Sequence, residues 1–133
     1  MILIDTNVLV DVYARDRIWE ERSAAAIELA ASREQLVIND VVYAELSPGF
    51  KHVKELDDAL AQTRVLRIAI PKFALYLAGH AYRRYRRQSG GTKTGVLPDF
   101  FIGAHAAVEG APLLTRDPSR IRAYFPTVSL IAP

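Results

Sequence analysis

Short apolar runs alternate in this sequence with longer segments of helical pattern, and this alternation constrains the fold more than any other feature. The runs predicted as strands cover residues 1–5, 36–38, 65–70, 112–115 and 128–131. They are mostly apolar and do not alternate between apolar and polar residues, which is typical of strands buried on both faces. The sequence therefore predicts an α/β fold whose central, mostly parallel sheet of four to five strands is flanked by helices.

Local signals predict the helices between these strands. Thr6 or Asn7 is expected to cap the first helix, and Asn39-Asp40 to cap the short helix VVYAEL. Pro98 suits the first turn of a later helix, which Gly110 ends. The predicted helices cover residues 6–14, 17–34, 41–46, 51–62, 72–88 and 98–109, with a last turn starting at Asp117 or Ser119.

Apolar spacing also predicts which helix faces turn inward. In the helix at 17–34 the inward stripe is expected to contain Ile18, Ala25, Ala26 and Leu29. In the helix at 72–88 it is expected to contain Phe73, Leu77 and Ala81. The helix at 51–62 is mostly charged and is expected to lie on the outside.

Length and composition restrict the class of protein. The chain has 133 residues, which fits one domain covering 1–133. It has no cysteine, so disulfides and cysteine-based catalysis or metal binding are excluded, and a cytoplasmic setting is the expectation. No run approaches the ~18 apolar residues of a membrane span. No basic region precedes the first apolar run, so a cleaved secretion signal is not expected.

Four acidic residues stand at positions where parallel strands build their sites. Asp5 ends the first strand, Asp117 follows the fourth strand, Asp99 begins a helix, and Glu45 lies within VVYAEL. Ligands of such sheets bind beyond the carboxyl ends of the strands. Carboxylates that share one cleft repel each other and need a cation, and hard oxygen ligands suit Mg²⁺ or Mn²⁺.

Each of these residues also has a simpler interpretation. Asp5 and Asp117 could be ordinary helix caps, Asp99 could interact only with its helix dipole, and Glu45 could face solvent. Apolar neighbours in LID, YAEL and LPDFF favour the shared site, because an unpaired charge there would be costly.

A basic segment, YRRYRR, ends the helix at 72–88 and suggests a nucleic-acid contact. Its cations are Arg83, Arg84, Arg86 and Arg87, and Lys93 follows them. Tyr82 and Tyr85 are interleaved with the arginines, so a surface that follows phosphates is one interpretation. A solvated helix face is the other.

The four acidic segments together resemble a known family. Asp5 in MILIDTNVLVD, Glu45 in VVYAEL, Asp99 in LPDFFIGAHA and Asp117 in LLTRD resemble the acidic positions of PIN-domain nucleases in order and spacing. The compact length resembles the VapC toxins of toxin–antitoxin pairs. The resemblance covers essentially the whole chain, and it implies a PIN-like three-layer sandwich.

The resemblance also implies an activity and partners. The activity would be a Mg²⁺- or Mn²⁺-dependent endoribonuclease, in which all four acidic residues are catalytic and hold metal, directly or through water. Thr6, Asn7 and Thr115 match polar positions of the family and would support these carboxylates. The implied partners are an RNA substrate, a VapB-type antitoxin and a second copy in a homodimer.

Two other functions remain open at this point. A phosphoryl-transfer hydrolase of the HAD type could use Asp5 as nucleophile, but Asn7 stands where that class carries a second Asp. A catalytically silent module that binds nucleic acid or a partner could retain the same fold. Retaining four clustered charges without a metal would destabilise such a module.

Overall fold

A parallel β-sheet forms the centre of the molecule in the computed structural model, which describes residues 1–88 and 95–133. Within these residues the strand order is β3-β2-β1-β4-β5, and all neighbouring strands are parallel. The strands are β1 Ile2–Ile4, β2 Leu36–Ile38, β3 Val65–Arg67, β4 Leu113–Leu114 and β5 Leu130–Ile131. The prediction of an α/β fold with a parallel sheet is confirmed.

The helices flank this sheet. In chain order they are α1 Thr6–Tyr13, α2 Glu20–Arg33, α3 Asp40–Leu46, α4 Val53–Gln62, α5 Lys72–Gln88, α6 Leu97–Glu109 and α7 Ser119–Tyr124. A 3₁₀ turn, Ser47–Gly49, follows α3. None of the helices in the described ranges is long and apolar enough to cross a membrane.

The central strands β1, β2 and β4 are buried along their whole length. Helix α6 packs closely against α7, because Gly103 has no side chain. A Cβ atom at this position would lie 2.4 Å from Cδ2 of Phe125. Gly110, with φ of 63°, ends α6 in the left-handed conformation that glycine adopts easily. The predicted signals at both ends of α6 are confirmed.

The two predicted inward faces are confirmed only in part. On α2, Ala26 packs against the core as predicted. Ile18 precedes the helix and Ala25 and Leu29 are exposed, whereas Ile27 and Ala30 are buried. Helix α2 also begins later than predicted, because the Asp16 carboxylate accepts hydrogen bonds from the backbone of the two residues that precede the helix and forms a separate turn.

On α5 the buried residues are the small ones. Ala81 is buried and Leu77 packs against the core as predicted, and Ala74 and Ala78 are buried as well. The prediction is wrong for Phe73, which is 65% exposed and stacks on Tyr76. Alanines at this spacing let another helix approach closely, and large apolar residues are then left outside. Helix α4 lies on the outside as predicted, but it buries Leu56 and Leu60. Strand β3 is shorter than predicted.

Candidate active site

The pairing of β1 with β4 places the first acidic residue beside the polar end of β4. Ile4 pairs with Leu114, so Asp5 and Thr115 leave the sheet side by side. The Asp5 backbone N–H donates to the Leu114 carbonyl at 2.9 Å. Two separate segments of the chain therefore meet at the same edge of the sheet, as parallel strands require.

The Asp5 carboxylate is held at both oxygens. Oδ1 accepts a hydrogen bond of 2.7 Å from the Thr6 backbone N–H, which makes Asp5 the cap of α1. Oδ2 accepts one of 2.7 Å from the Thr115 hydroxyl. The prediction that Thr6 or Asn7 caps this helix is thus wrong by one or two positions. Asp5 is both a cap and a member of the acidic cluster.

All four predicted acidic residues line one cavity of about 290 Å³. They arrive from the end of β1, from α3, from the first turn of α6 and from the segment after β4. The lining consists of Asp5, Thr6, Asn7, Val10, Glu45, Asp99, Arg116, Asp117, Arg120 and Ile121. Glu45 is exposed, and it also lines this cavity.

The three predicted supporting residues each contact the acidic cluster. The Thr6 hydroxyl donates to Glu45 Oε1 at 2.6 Å. The Thr115 hydroxyl, besides donating to Asp5, accepts the Asp117 backbone N–H at 3.1 Å. The Asn7 amide nitrogen lies 3.4 Å from Asp5 Oδ2. Thr115 therefore connects Asp5 to Asp117 through its hydroxyl, and Thr6 connects Asp5 to Glu45 through its backbone N–H and its hydroxyl.

The environment of these carboxylates disfavours their ionised forms. The pKa of Asp5 is raised to about 6. Burial is the largest cause and the charges of Asp99 and Glu45 add to it, against the lowering effect of the hydrogen bonds from Thr115 and Thr6. Burial also raises the pKa of Asp99, with the Asp117 charge adding to the effect and Arg120 opposing it. A bound cation would relieve both the desolvation and the mutual repulsion.

The donor chemistry fits Mg²⁺ or Mn²⁺, because the cavity offers carboxylate and hydroxyl oxygens. The four carboxylates do not converge on a single position that a metal ion could occupy. Among the described residues, no three His, Cys, Asp or Glu side chains lie together as a metal site requires. Asp99 instead forms an ion pair with Arg120.

One buried ion pair beside the cavity was not predicted from the sequence. Asp11, which is 1% exposed, accepts hydrogen bonds of 2.8 and 2.9 Å from Arg116. The Ser23 hydroxyl also donates to it, at 2.7 Å. This network fixes α1 against the segment after β4, and so fixes the position of Asp117. An acidic residue in the apolar run VLVDVY was the signal available in the sequence.

The basic segment divides between two faces of α5. Arg83, Arg86 and Arg87 line a groove of about 440 Å³ with Gly79 and Tyr82, which we name the basic groove. Arg84 lies on another face, with its guanidinium 5.8 Å from the Tyr124 ring centre. Lys93 lies outside the described residues.

Comparison with known proteins identifies the family. A family model described as "PIN domain" matches residues 2–125. The comparison with curated proteins gave no match.

Several solved structures are similar over nearly the whole chain. VapBC2 from Rickettsia felis, bound to a promoter DNA fragment, is 23% identical. The match covers 99% of this chain and 98% of the matched chain, with a TM-score of 0.72. VapBC-1 from nontypeable Haemophilus influenzae is 20% identical, with coverages of 99% and 98% and a TM-score of 0.70. A toxin–antitoxin complex from Klebsiella pneumoniae is 25% identical, with coverages of 96% and 95% and a TM-score of 0.61. The match of the family model over almost the entire chain shows that this protein belongs to the PIN-domain family, whose members are nucleases.

Proposed function

We propose that this protein is the toxin of a type II toxin–antitoxin pair and acts as a Mg²⁺- or Mn²⁺-dependent endoribonuclease. The single observation that carries the proposal is the cavity in which carboxylates from four separate elements face one another, with Asp5 buried among them. Such an arrangement is costly without a cation and is suited to one. In this proposal residues 1–133 form one PIN domain that works in the cytoplasm.

The proposed metal ligands are Asp5, Asp99 and Asp117, with Glu45 either completing the set or orienting the attacking water. A bound cation would neutralise the scissile phosphate and lower the pKa of a water molecule. The protein supplies a rigid arrangement for this chemistry. Thr115 fixes the Asp5 carboxylate and the backbone of Asp117, and Thr6 fixes Glu45.

RNA would approach over the basic groove. Its three arginines are exposed and recur on one face of α5. The neighbouring residue Tyr85 packs against Phe100 with ring centres 5.4 Å apart, and Phe100 directly follows Asp99. The basic end of α5 thus lies beside the helix that carries Asp99. Arginines at this place add affinity for phosphates without selecting a sequence. Arg84 and Lys93 remain proposed contributors to the same surface.

The proposed partners are a VapB-type antitoxin and a second copy of the chain. Similar solved structures are described as toxin–antitoxin complexes, which supports the first partner. Phe73 and Tyr76 are each more than 60% exposed and stack on each other, and this joined apolar surface supports a contact with another chain.

The experiment is cleavage of total RNA by the purified, antitoxin-free protein with Mg²⁺, with Mn²⁺ and with EDTA. We expect cleavage with either metal and none with EDTA or in Asp5→Asn. Asp58→Asn is the matched control, because it makes the same chemical change at an exposed residue that pairs with Lys54 away from the cavity. A folded protein that neither cuts RNA nor binds metal would support the silent binding module instead. Cleavage that persists in Asp5→Asn would contradict the proposed site.

A further inference from the structure

Arg120 is placed between the acidic cavity and an aromatic ring. Its Nη1 donates to Asp99 Oδ2, and its guanidinium carbon lies 5.6 Å from the centre of the Tyr85 ring. The Arg120 side chain is 23% exposed, so it is held by its surroundings. The next residue, Ile121, is buried and anchors α7 to the core. The placement of α7 beside the cavity therefore does not depend on the Arg120 side chain.

Arg120 is the cation available to the cavity among the described residues. The other arginine in the lining, Arg116, directs Nε and Nη2 to the two carboxylate oxygens of Asp11, outside the acidic cluster. The ion pair recorded for Asp99 is with Arg120, and no other member of the cluster has one within the described ranges. One positive charge therefore faces four carboxylates in the described part of the chain.

We propose that Arg120 is a built-in counter-ion of the metal-free protein, and that it and the divalent metal compete for Asp99. This inference rests on the proposed function, because it assumes that the cavity binds a metal. A guanidinium on Asp99 occupies one carboxylate oxygen and repels an incoming divalent cation. It also accounts for the open geometry, since Asp99 is drawn toward α7 while Asp5 is tied to Thr115.

Arg120 keeps one partner when the metal takes Asp99 from it. Its guanidinium already lies over the Tyr85 ring, within the range of a cation–π contact. Release of Asp99 would leave the guanidinium beside an aromatic ring and close to solvent, where its charge costs little. The exchange requires a rotation of one side chain and no movement of α7.

The test is metal binding rather than activity. Free Mn²⁺ is measured by electron paramagnetic resonance during titration of the wild-type protein, Arg120→Gln and Arg122→Gln. Arg122 lies on the same helix, is exposed, and does not line the cavity, so its replacement removes the same charge as a matched control. We expect Arg120→Gln to bind Mn²⁺ about two- to fivefold more tightly, the effect of losing one partly exposed ion pair. Arg122→Gln should change the affinity less than about twofold at moderate salt.

Thermal melting in EDTA and in Mn²⁺ provides the second readout. Without metal, Arg120→Gln should melt below the wild type, because Asp99 loses the cation that it pairs with among the described residues. With Mn²⁺ the deficit should shrink or disappear. A purely structural role for Arg120 would lower both melting temperatures equally, and that result would overturn the proposal.

The outcomes separate this inference from the proposed function. If the wild type binds Mn²⁺ and Arg120→Gln binds it equally or more weakly, the competition is refuted and the nuclease proposal stands. If only Arg120→Gln binds Mn²⁺, the competition is supported in its strongest form. If neither protein binds Mn²⁺, both the competition and the metal-dependent nuclease are refuted.

Discussion

Replacing Asp5 by asparagine should stabilise the metal-free protein increasingly as the pH rises. Burial raises the pKa of Asp5 from its usual 3.8 to about 6. The folded protein therefore holds this proton more strongly than the unfolded chain does. The stability that this bound proton provides to the folded protein is present at low pH and is lost as the pH rises through about 6. Asparagine has no charge to lose and escapes this penalty.

The magnitude follows from the two pKa values. Ionised Asp5 costs the folded state ~1.6 kcal/mol at about pH 5 and ~3 kcal/mol at about pH 8. Asparagine would forfeit about 1 kcal/mol of hydrogen bonding at either pH, since only one of its side-chain atoms is an acceptor. The Asp5→Asn variant should thus gain ~1.4 kcal/mol relative to the wild type between these two pH values, or about 5 °C in Tm.

The assay is chemical denaturation of Asp5→Asn, the wild type and the control Asp58→Asn, all in EDTA, at both pH values. Comparing differences between variants removes the titration of the shared groups that do not interact with Asp5. A stability difference between Asp5→Asn and the wild type that stays constant from pH 5 to pH 8 would refute the reasoning. With saturating Mn²⁺ the sign should reverse, because the wild type alone gains from the metal.

Three further perturbations test other parts of the account. Arg116→Ala should destabilise the protein by about 3 kcal/mol in urea denaturation, because it strands the buried charge of Asp11; a loss below ~1 kcal/mol would contradict this. Gly103→Ala should cost roughly 1–3 kcal/mol through its clash with Phe125, while Gly79→Ala, where a Cβ meets nothing, should be neutral or stabilising in the same thermal melts. Replacing the three arginines of the basic groove by glutamine should weaken binding of single-stranded RNA and flatten the plot of log K against log salt by about 2; an unchanged slope would exclude the groove from RNA binding.

The sequence predicted the elements that have strong local signals. Helix α5 spans residues 72–88 as expected, and α6 ends at Gly110 because that glycine takes a left-handed conformation. The juxtaposition of Asp5 with the end of β4 was also predictable, since parallel strands present their carboxyl ends at one edge of the sheet. These features depend on short-range chemistry or on a general rule of sheet topology.

The faces of the helices were less predictable. In α2 and α5 several stripes of apolar residues satisfy the helical period, and the spacing alone does not select among them. In the structure the fully buried residues of α5 are Ala74, Ala78 and Ala81, because small residues allow close contact between helices. Phe73 was the larger and more apolar candidate and lies outside.

The pairs of charges around the cavity depend on long-range packing. Arg120 pairs with Asp99 across 21 positions, and Arg116 pairs with Asp11 across 105 positions. Which arginine reaches which carboxylate is decided by how α7 and the segment after β4 pack on the core. No spacing in the sequence carries that information.

The most direct measurement of the central claim is a crystal structure of the protein grown with Mn²⁺, with diffraction collected where manganese scatters anomalously. We predict an anomalous peak in the acidic cavity in contact with Asp5 and Asp99, with the Arg120 side chain turned away from Asp99. Crystals that contain Mn²⁺ at saturating concentration, yet show no peak among the four carboxylates, would contradict the account.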